Sequence, residues 1–263
     1  MPKTNKRRRP VVLSIAGYDP SSGAGITADI KTMAAHGCYG VTCITALTVQ
    51  STRGVRRVEP VAGQVITDTL EELAVDMEIA AVKIGMLASA DAACAVTAFL
   101  KRYQPHSVVL DPVLISSSGA QLLSTEGVQT LKENLLALAL VITPNIDEAA
   151  ALTGLPVANL NEIASAAARL RVLGARNVVI TGGHLNPPVD LISRESSKRP
   201  VVLTGKKVAS HGTHGTGCAF STALACNLAL GKDLLNSIKN AKRFVEAALK
   251  KAPGVGKGLG PVI

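Results

Sequence analysis

The chain has 263 residues, 47% of them hydrophobic, which is enough for one large core. Its five cysteines are odd in number and contain no C-x-x-C pair, which argues against a disulfide framework and a zinc site. Aromatic residues make up only 2%, which argues against a stacking platform for single-stranded nucleic acid in spite of the formal charge of +9. Five of those charges, Lys3, Lys6, Arg7, Arg8 and Arg9, precede the first apolar run. Residues 1–10 therefore read as a basic disordered arm and residues 11–263 as a single domain.

The apolar run after the arm, VVLSIAG, is too short for a signal peptide, and no stretch reaches the about 18 apolar residues of a membrane span. A cytoplasmic protein without a membrane partner is expected. In chain order, short β-rich runs occur at 11–16, 41–49, 80–85, 107–111, 138–143, 177–181 and 200–204. Helical patterns lie between them, and two more helices follow around 217–230 and 232–251. This alternation predicts right-handed βαβ crossovers, a mainly parallel sheet and helices on both faces. Residues 187–205 read as a hairpin and the one plausible flap. Ligands of such sheets bind at the carboxyl ends of the strands, so the residues just after each run are the candidates.

After the first run, GYDPSSGAGITAD supplies Gly17 for close backbone approach and Asp29 on the following helix. That acid either serves a ligand or only complements the helix dipole. Gln50 follows the second run in a loop, with an amide that can both donate and accept toward a heteroaromatic ring. Met86 follows the third and suits a ring face or plain core. Asp111, with Val113 beyond it, ends SVVLD; Asn145 and Glu148 follow LALVIT, Glu148 on the first turn of a helix. Two carboxylates so placed could share a hydrated Mg²⁺ or be a turn residue and a helix-end acid.

The stretch HGTHGTGCAFSTALA leaves the amides of Gly215, Thr216, Gly217 and Cys218 free at a helix N-terminus, which suits a phosphate. The same positive end is expected to lower the Cys218 pKa toward a base or nucleophile, with an inert cysteine as the alternative.

Together, IAGYDPSSGAGITADIKT, GVTCITALTVQST, VKIGML, VVLDPV, ITPNIDEAAALTG, GGHL, THGTGCAFSTALA and GKGLGPV resemble the hydroxymethylpyrimidine/phosphomethylpyrimidine kinases of thiamine biosynthesis, within the ribokinase-like superfamily. The resemblance implies a three-layer α/β/α sandwich, ATP with Mg²⁺, and two successive phosphorylations of 4-amino-5-hydroxymethyl-2-methylpyrimidine. A homodimer is expected. It implies a pyrimidine pocket of Gly17, Asp29, Gln50, Met86, Val113 and Cys218, with Asp111 and Glu148 near metal and triphosphate. Asn145 and Thr181 would lie by the nucleotide, and the GTGC turn would form the anion hole. Three positions depart from the family's pattern: Thr181 and Ser117 stand where lysines are common, and Ser22 replaces a usual glycine. A pyridoxal-type kinase is the enzymatic alternative, and a non-catalytic pyrimidine sensor the alternative from another class.

Overall fold

The computed structural model describes residues 9–116, 119–183, 185–208, 210 and 212–263. Most of the basic arm and Ser117 lie outside the described residues. The strands are β1 (Val11–Tyr18), β2 (Tyr39–Ser51), β3 (Gly54–Pro60), β4 (Ile79–Ile84), β5 (Val108–Leu110), β6 (Val141–Ile142), β7 (Asn177–Gly182), β8 (Val189–Arg194) and β9 (Val201–Thr204). The helices are α1 (Gly25–Ala35), α2 (Gly63–Asp76), α3 (Ala90–Tyr103), α4 (Thr125–Thr130), α5 (Ile146–Thr153), α6 (Leu160–Val172), α7 (Thr216–Ala229) and α8 (Leu234–Lys250); a π-helical turn, Leu131–Leu135, prolongs α4.

One sheet carries these strands in the order β3-β2-β1-β4-β5-β6-β7-β8-β9. Strands β2 through β7 in that order pair in parallel, while β3, β8 and β9 add antiparallel edges. The period of two along each strand sorts side chains between two cores. Leu13, Ile15, Val82, Ile84, Val108 and Leu110 join the core built with α2 to α6. Val12, Ala81 and Val109 point the other way, to the core completed by Met33 of α1, Leu224 of α7 and Ile238 of α8. The result is the α/β/α sandwich expected from the sequence.

Three details differ from the sequence reading. Strand β3 was not anticipated because Arg56, Arg57 and Glu59 break its apolar pattern, a charge load suited to an exposed edge. Pairing with β3 carries β2 through Gln50 to Ser51, so Gln50 is a strand residue rather than a loop residue. The hairpin at 187–205 is present as β8 and β9, but it extends the main sheet beyond β7 instead of standing apart as a flap.

Helices α3, α4, α5, α6 and α8 each begin at a Ser, Asn or Asp whose side chain accepts from a first-turn amide. Helix α7 begins differently, at Gly215 with φ 82° and no side-chain cap. Helices α1 and α2 also lack a side-chain cap, and in α7 the Thr216 N–H turns back to the Thr213 carbonyl at 3.4 Å.

Candidate active site

Helix α7 packs on β1, β4 and β5, with Asp111 at the carboxyl end of β5 against its first turn. Gly215 is fixed there by two constraints: its φ is in the region that favours glycine, and a Cβ on it would fall 1.7 Å from the Gly23 carbonyl oxygen. A Cβ on Gly217 would be 3.8 Å from Asp111 Oδ2, so Asp111 lies directly against the first turn of α7. Ser221, one turn further along, donates to the same Oδ2 at 2.9 Å.

Asp111 is buried, and burial pushes its carboxyl up although the Lys83 ammonium and the Ser221 hydroxyl pull it down. Glu148 is likewise buried and pushed up to about 8, first by burial and then by the Asp111 charge. The reason it sits there is local: Glu148 Oε2 accepts from Asn145 N–H at 2.9 Å while Asn145 Oδ1 accepts from Glu148 N–H at 2.9 Å, a reciprocal capping box. Asn145 bridges in turn to Thr181 at the end of β7, whose N–H donates to the Pro144 carbonyl at 3.0 Å. Asp111, Asn145, Glu148 and Thr181 thus form one neighbourhood. Beside it, the buried Thr143 hydroxyl has no partner.

On the other side, Gly17 and Met86 meet closely, since a Cβ on Gly17 would reach Met86 Sδ at 2.9 Å. Met86, Ala46 and Leu122 form a small apolar cluster with Val113 packed on it. Gln50 stands nearby on β2, its Nε2 3.0 Å from His214 Nε2 and its Oε1 3.1 Å from Thr48 Oγ1. Of the residues expected around a ring, Gly17, Met86 and Val113 lie together at this small apolar cluster, and Gln50 faces His214 and Thr48.

Asp29 is corrected. Its carboxylate is wholly buried and taken up by Lys83 Nζ at 2.9 and 3.1 Å, Ser14 Oγ at 2.5 Å and Thr222 Oγ1 at 2.6 Å. No edge of it is left for a ring, and it lies beyond the first turn of α1, where it would serve the dipole. The physical reason is Lys83, a cation in the middle of β4 that requires a buried counter-charge. Ser14 and Lys83 are direct partners across β1 and β4, so the strand register brings the group together.

Cys218 is corrected as well. Burial pushes its thiol up to about 12, against the pull of Lys83, and the charges of Asp29 and Asp111 add to the rise. Desolvation and two nearby anions outweigh the helix end and the Gly25 N–H that faces the sulfur. At neutral pH the side chain is a thiol.

Sequence reasoning gave no role to Lys83, Asp19 or His214. Lys83 had a signal, a lysine inside the apolar run AAVKIG. Asp19 and His214 had none, since only the fold sets His214 Nε2 2.9 Å from Asp19 Oδ2. Ser22 adopts φ 60°, which accounts for the glycine usual at that place.

The chain matches the phosphomethylpyrimidine kinase family over residues 19–263. It is 41% identical over 250 residues to the hydroxymethylpyrimidine/phosphomethylpyrimidine kinase of Aquifex aeolicus, covering 94% of this chain and 97% of that one. A thiamine biosynthesis bifunctional protein of Geobacter sulfurreducens is 42% identical over 97% of this chain, which spans about half, 52%, of its length. Among solved structures, an ADP complex of Bacillus subtilis pyridoxal kinase superposes with a TM-score of 0.87 at 33% identity, covering 96% of each chain. The chain belongs to the phosphomethylpyrimidine kinase family.

Proposed function

We propose that the protein transfers the γ-phosphoryl group of ATP to the alcohol of 4-amino-5-hydroxymethyl-2-methylpyrimidine, and then phosphorylates the monophosphate to the diphosphate. The observation that carries this reading is the start of α7 at Gly215, which has no side-chain cap, has Asp111 against its first turn, and follows His214, whose ring lies 3.0 Å from the Gln50 amide. The first-turn amides of Gly217 and Cys218 donate to the oxygens of the phosphoryl group in flight, and the Thr216 N–H joins them by leaving the long 3.4 Å contact it makes with the Thr213 carbonyl. Cys218, a neutral thiol, orients the alcohol rather than removing its proton. Little base strength is needed, because phosphoryl transfer depends mainly on positioning and charge neutralisation.

The donor set fits Mg²⁺. Asp111 and Glu148 offer only oxygen, and the buried Thr143 hydroxyl beside them is unpartnered. Magnesium takes one or two carboxylates and keeps waters and phosphate oxygens for the rest. Bound there, it neutralises charge on the triphosphate. Asn145 and Thr181 frame the nucleotide side of the same neighbourhood. The single-domain reading and a dimeric, cytoplasmic enzyme complete the proposal; no helix among the described residues is long and apolar enough to cross a membrane.

A coupled ATPase assay with the pyrimidine alcohol, its monophosphate and pyridoxine in parallel tests it. Turnover with both pyrimidines is expected. The likeness to a pyridoxal kinase structure gives the second reading its footing, and faster turnover of pyridoxine would establish that reading instead.

A further inference from the structure

His214 is fixed through its backbone and through one ring nitrogen. Its N–H donates to the Gly260 carbonyl and its own carbonyl accepts from Val262 N–H, both at 3.1 Å, while its ring fills the space a side chain on Gly23 would need. Ring atom Nε2 is 2.9 Å from Asp19 Oδ2 and 3.0 Å from Gln50 Nε2.

Counting hydrogens decides what these contacts can be. Asp19 accepts from Ser21 N–H and Oγ at 2.8 and 2.7 Å, and from the N–H groups of Gly23 and Ala24 at 3.2 and 2.9 Å. A carboxylate with that many donors on it is an acceptor only, so His214 Nε2 carries the hydrogen and gives it to Asp19. That nitrogen then has no lone pair for the Gln50 amide nitrogen. At the other end, Thr48 Oγ1 lies 2.9 Å from the Tyr18 carbonyl, which can only accept, and 3.1 Å from Gln50 Oε1. The single hydroxyl hydrogen goes to Tyr18, leaving nothing for the Gln50 oxygen. Turning the amide by 180° removes the donor–donor contact at His214, where the oxygen then shares the Nε2 hydrogen with Asp19, and lets the amide nitrogen donate to the free lone pair of Thr48 Oγ1. Oxygen then faces His214 and nitrogen faces Thr48. The two atoms of an amide are isosteric, and their assignment rests on the hydrogen-bond network.

We infer that Asp19 and His214 on one side, and Thr48 with the Tyr18 carbonyl on the other, lock the Gln50 amide in this one orientation and so make the site read the polarity of a ring edge. The inference rests on the reading that Gln50 meets the substrate ring. The locked amide accepts from an exocyclic amino group and donates to the adjacent ring nitrogen, the pattern of a 4-aminopyrimidine. A 4-oxopyrimidine presents the reverse pattern, a carbonyl beside an N–H, and would require the turned amide. Asp19, His214 and Thr48 are positioning residues; of these four side chains only Gln50 touches the ring.

The test compares kcat/KM for the 4-amino alcohol and its 4-oxo analogue in the unaltered protein, His214→Phe, the double variant His214→Phe with Thr48→Val, and Gln50→Ala. The unaltered protein should favour the amino compound at least a hundredfold, since mismatched buried polar groups are strongly rejected. The double variant should reduce that ratio tenfold or more, through KM for the pyrimidine, with KM for ATP unchanged. An unchanged ratio in a folded double variant, with the pyrimidine KM raised in Gln50→Ala, would overturn the lock and leave the pocket standing. An unchanged pyrimidine KM in Gln50→Ala would overturn both. A measurement on the unaltered protein is independent of how any variant folds: the ¹⁵N resonance of His214 Nε2 should be that of a protonated ring nitrogen, and an unprotonated Nε2 would refute the inference.

Discussion

Lys83 and Asp29 form a fully buried ion pair, with Nζ 2.9 Å from Oδ2, and the lysine charge also acts on Cys218 and Asp111 at the start of α7. Burial works against the ammonium, but Asp29, Cys218 and Asp111 together hold its pKa above the ordinary value. Removing one partner leaves an uncompensated charge, so Lys83→Met should cost about 3–5 kcal/mol in urea unfolding. Replacing both partners by apolar residues should cost less than the sum of the single changes. Additive losses in that double-mutant cycle would show that the two residues are not energetically paired.

The Cys218 thiol, pushed up from its ordinary 9.0 to about 12, should be slow to alkylate. Cys94 is exposed and serves as the internal control. At pH 7.5, iodoacetamide followed by peptide mass spectrometry should modify Cys94 well before Cys218, which has about a thousandfold less thiolate than an ordinary cysteine. Rapid labelling of Cys218 at that pH would restore the activated cysteine that the helix end alone suggests.

Glu148 gives a pH dependence with a definite sign. Its folded value of about 8 lies above the ordinary 4.5, so between those values the native protein keeps a proton that the unfolded chain has lost. The contribution to stability is complete below pH 4.5 and disappears as pH rises through 8. Metal-free protein should therefore show a Tm that falls with pH in this window, and Glu148→Gln should flatten the fall. Glutamine can still close the capping box, so that variant should fold while its apparent Mg²⁺ affinity drops about tenfold.

Ser22 holds φ 60°, a conformation that costs a non-glycine residue roughly 1–2 kcal/mol. Glycine there would remove that cost and add roughly 0.5–1 kcal/mol of unfolded-state freedom. Ser22→Gly should gain about 0.5–1 kcal/mol by urea midpoint and leave kcat unchanged.

The sandwich was legible because each buried strand keeps its period of two or a continuous apolar run, and Gly, Pro or Asn marks most ends. Strand β3 was hidden because an exposed edge tolerates Arg56, Arg57 and Glu59. Glu148 and Asn145 could be placed together because a capping box is local in sequence. Asp29 was misassigned for the opposite reason: what it does is set by Lys83, 54 positions away. The Cys218 pKa was misjudged because a helix end is visible in sequence, whereas burial beside Asp29 and Asp111 is a property of the packed sheet.

The contact between Gly215 and Gly23 makes the turn after β1 and the start of α7 a single seam. A side chain on Gly215 would strike the Gly23 carbonyl, and one on Gly23 would strike the His214 ring. Neither loop can be redesigned by itself. A library meant to reshape the phosphate turn would have to randomise both loops at once, and natural variation there should arrive as coupled exchanges rather than one residue at a time.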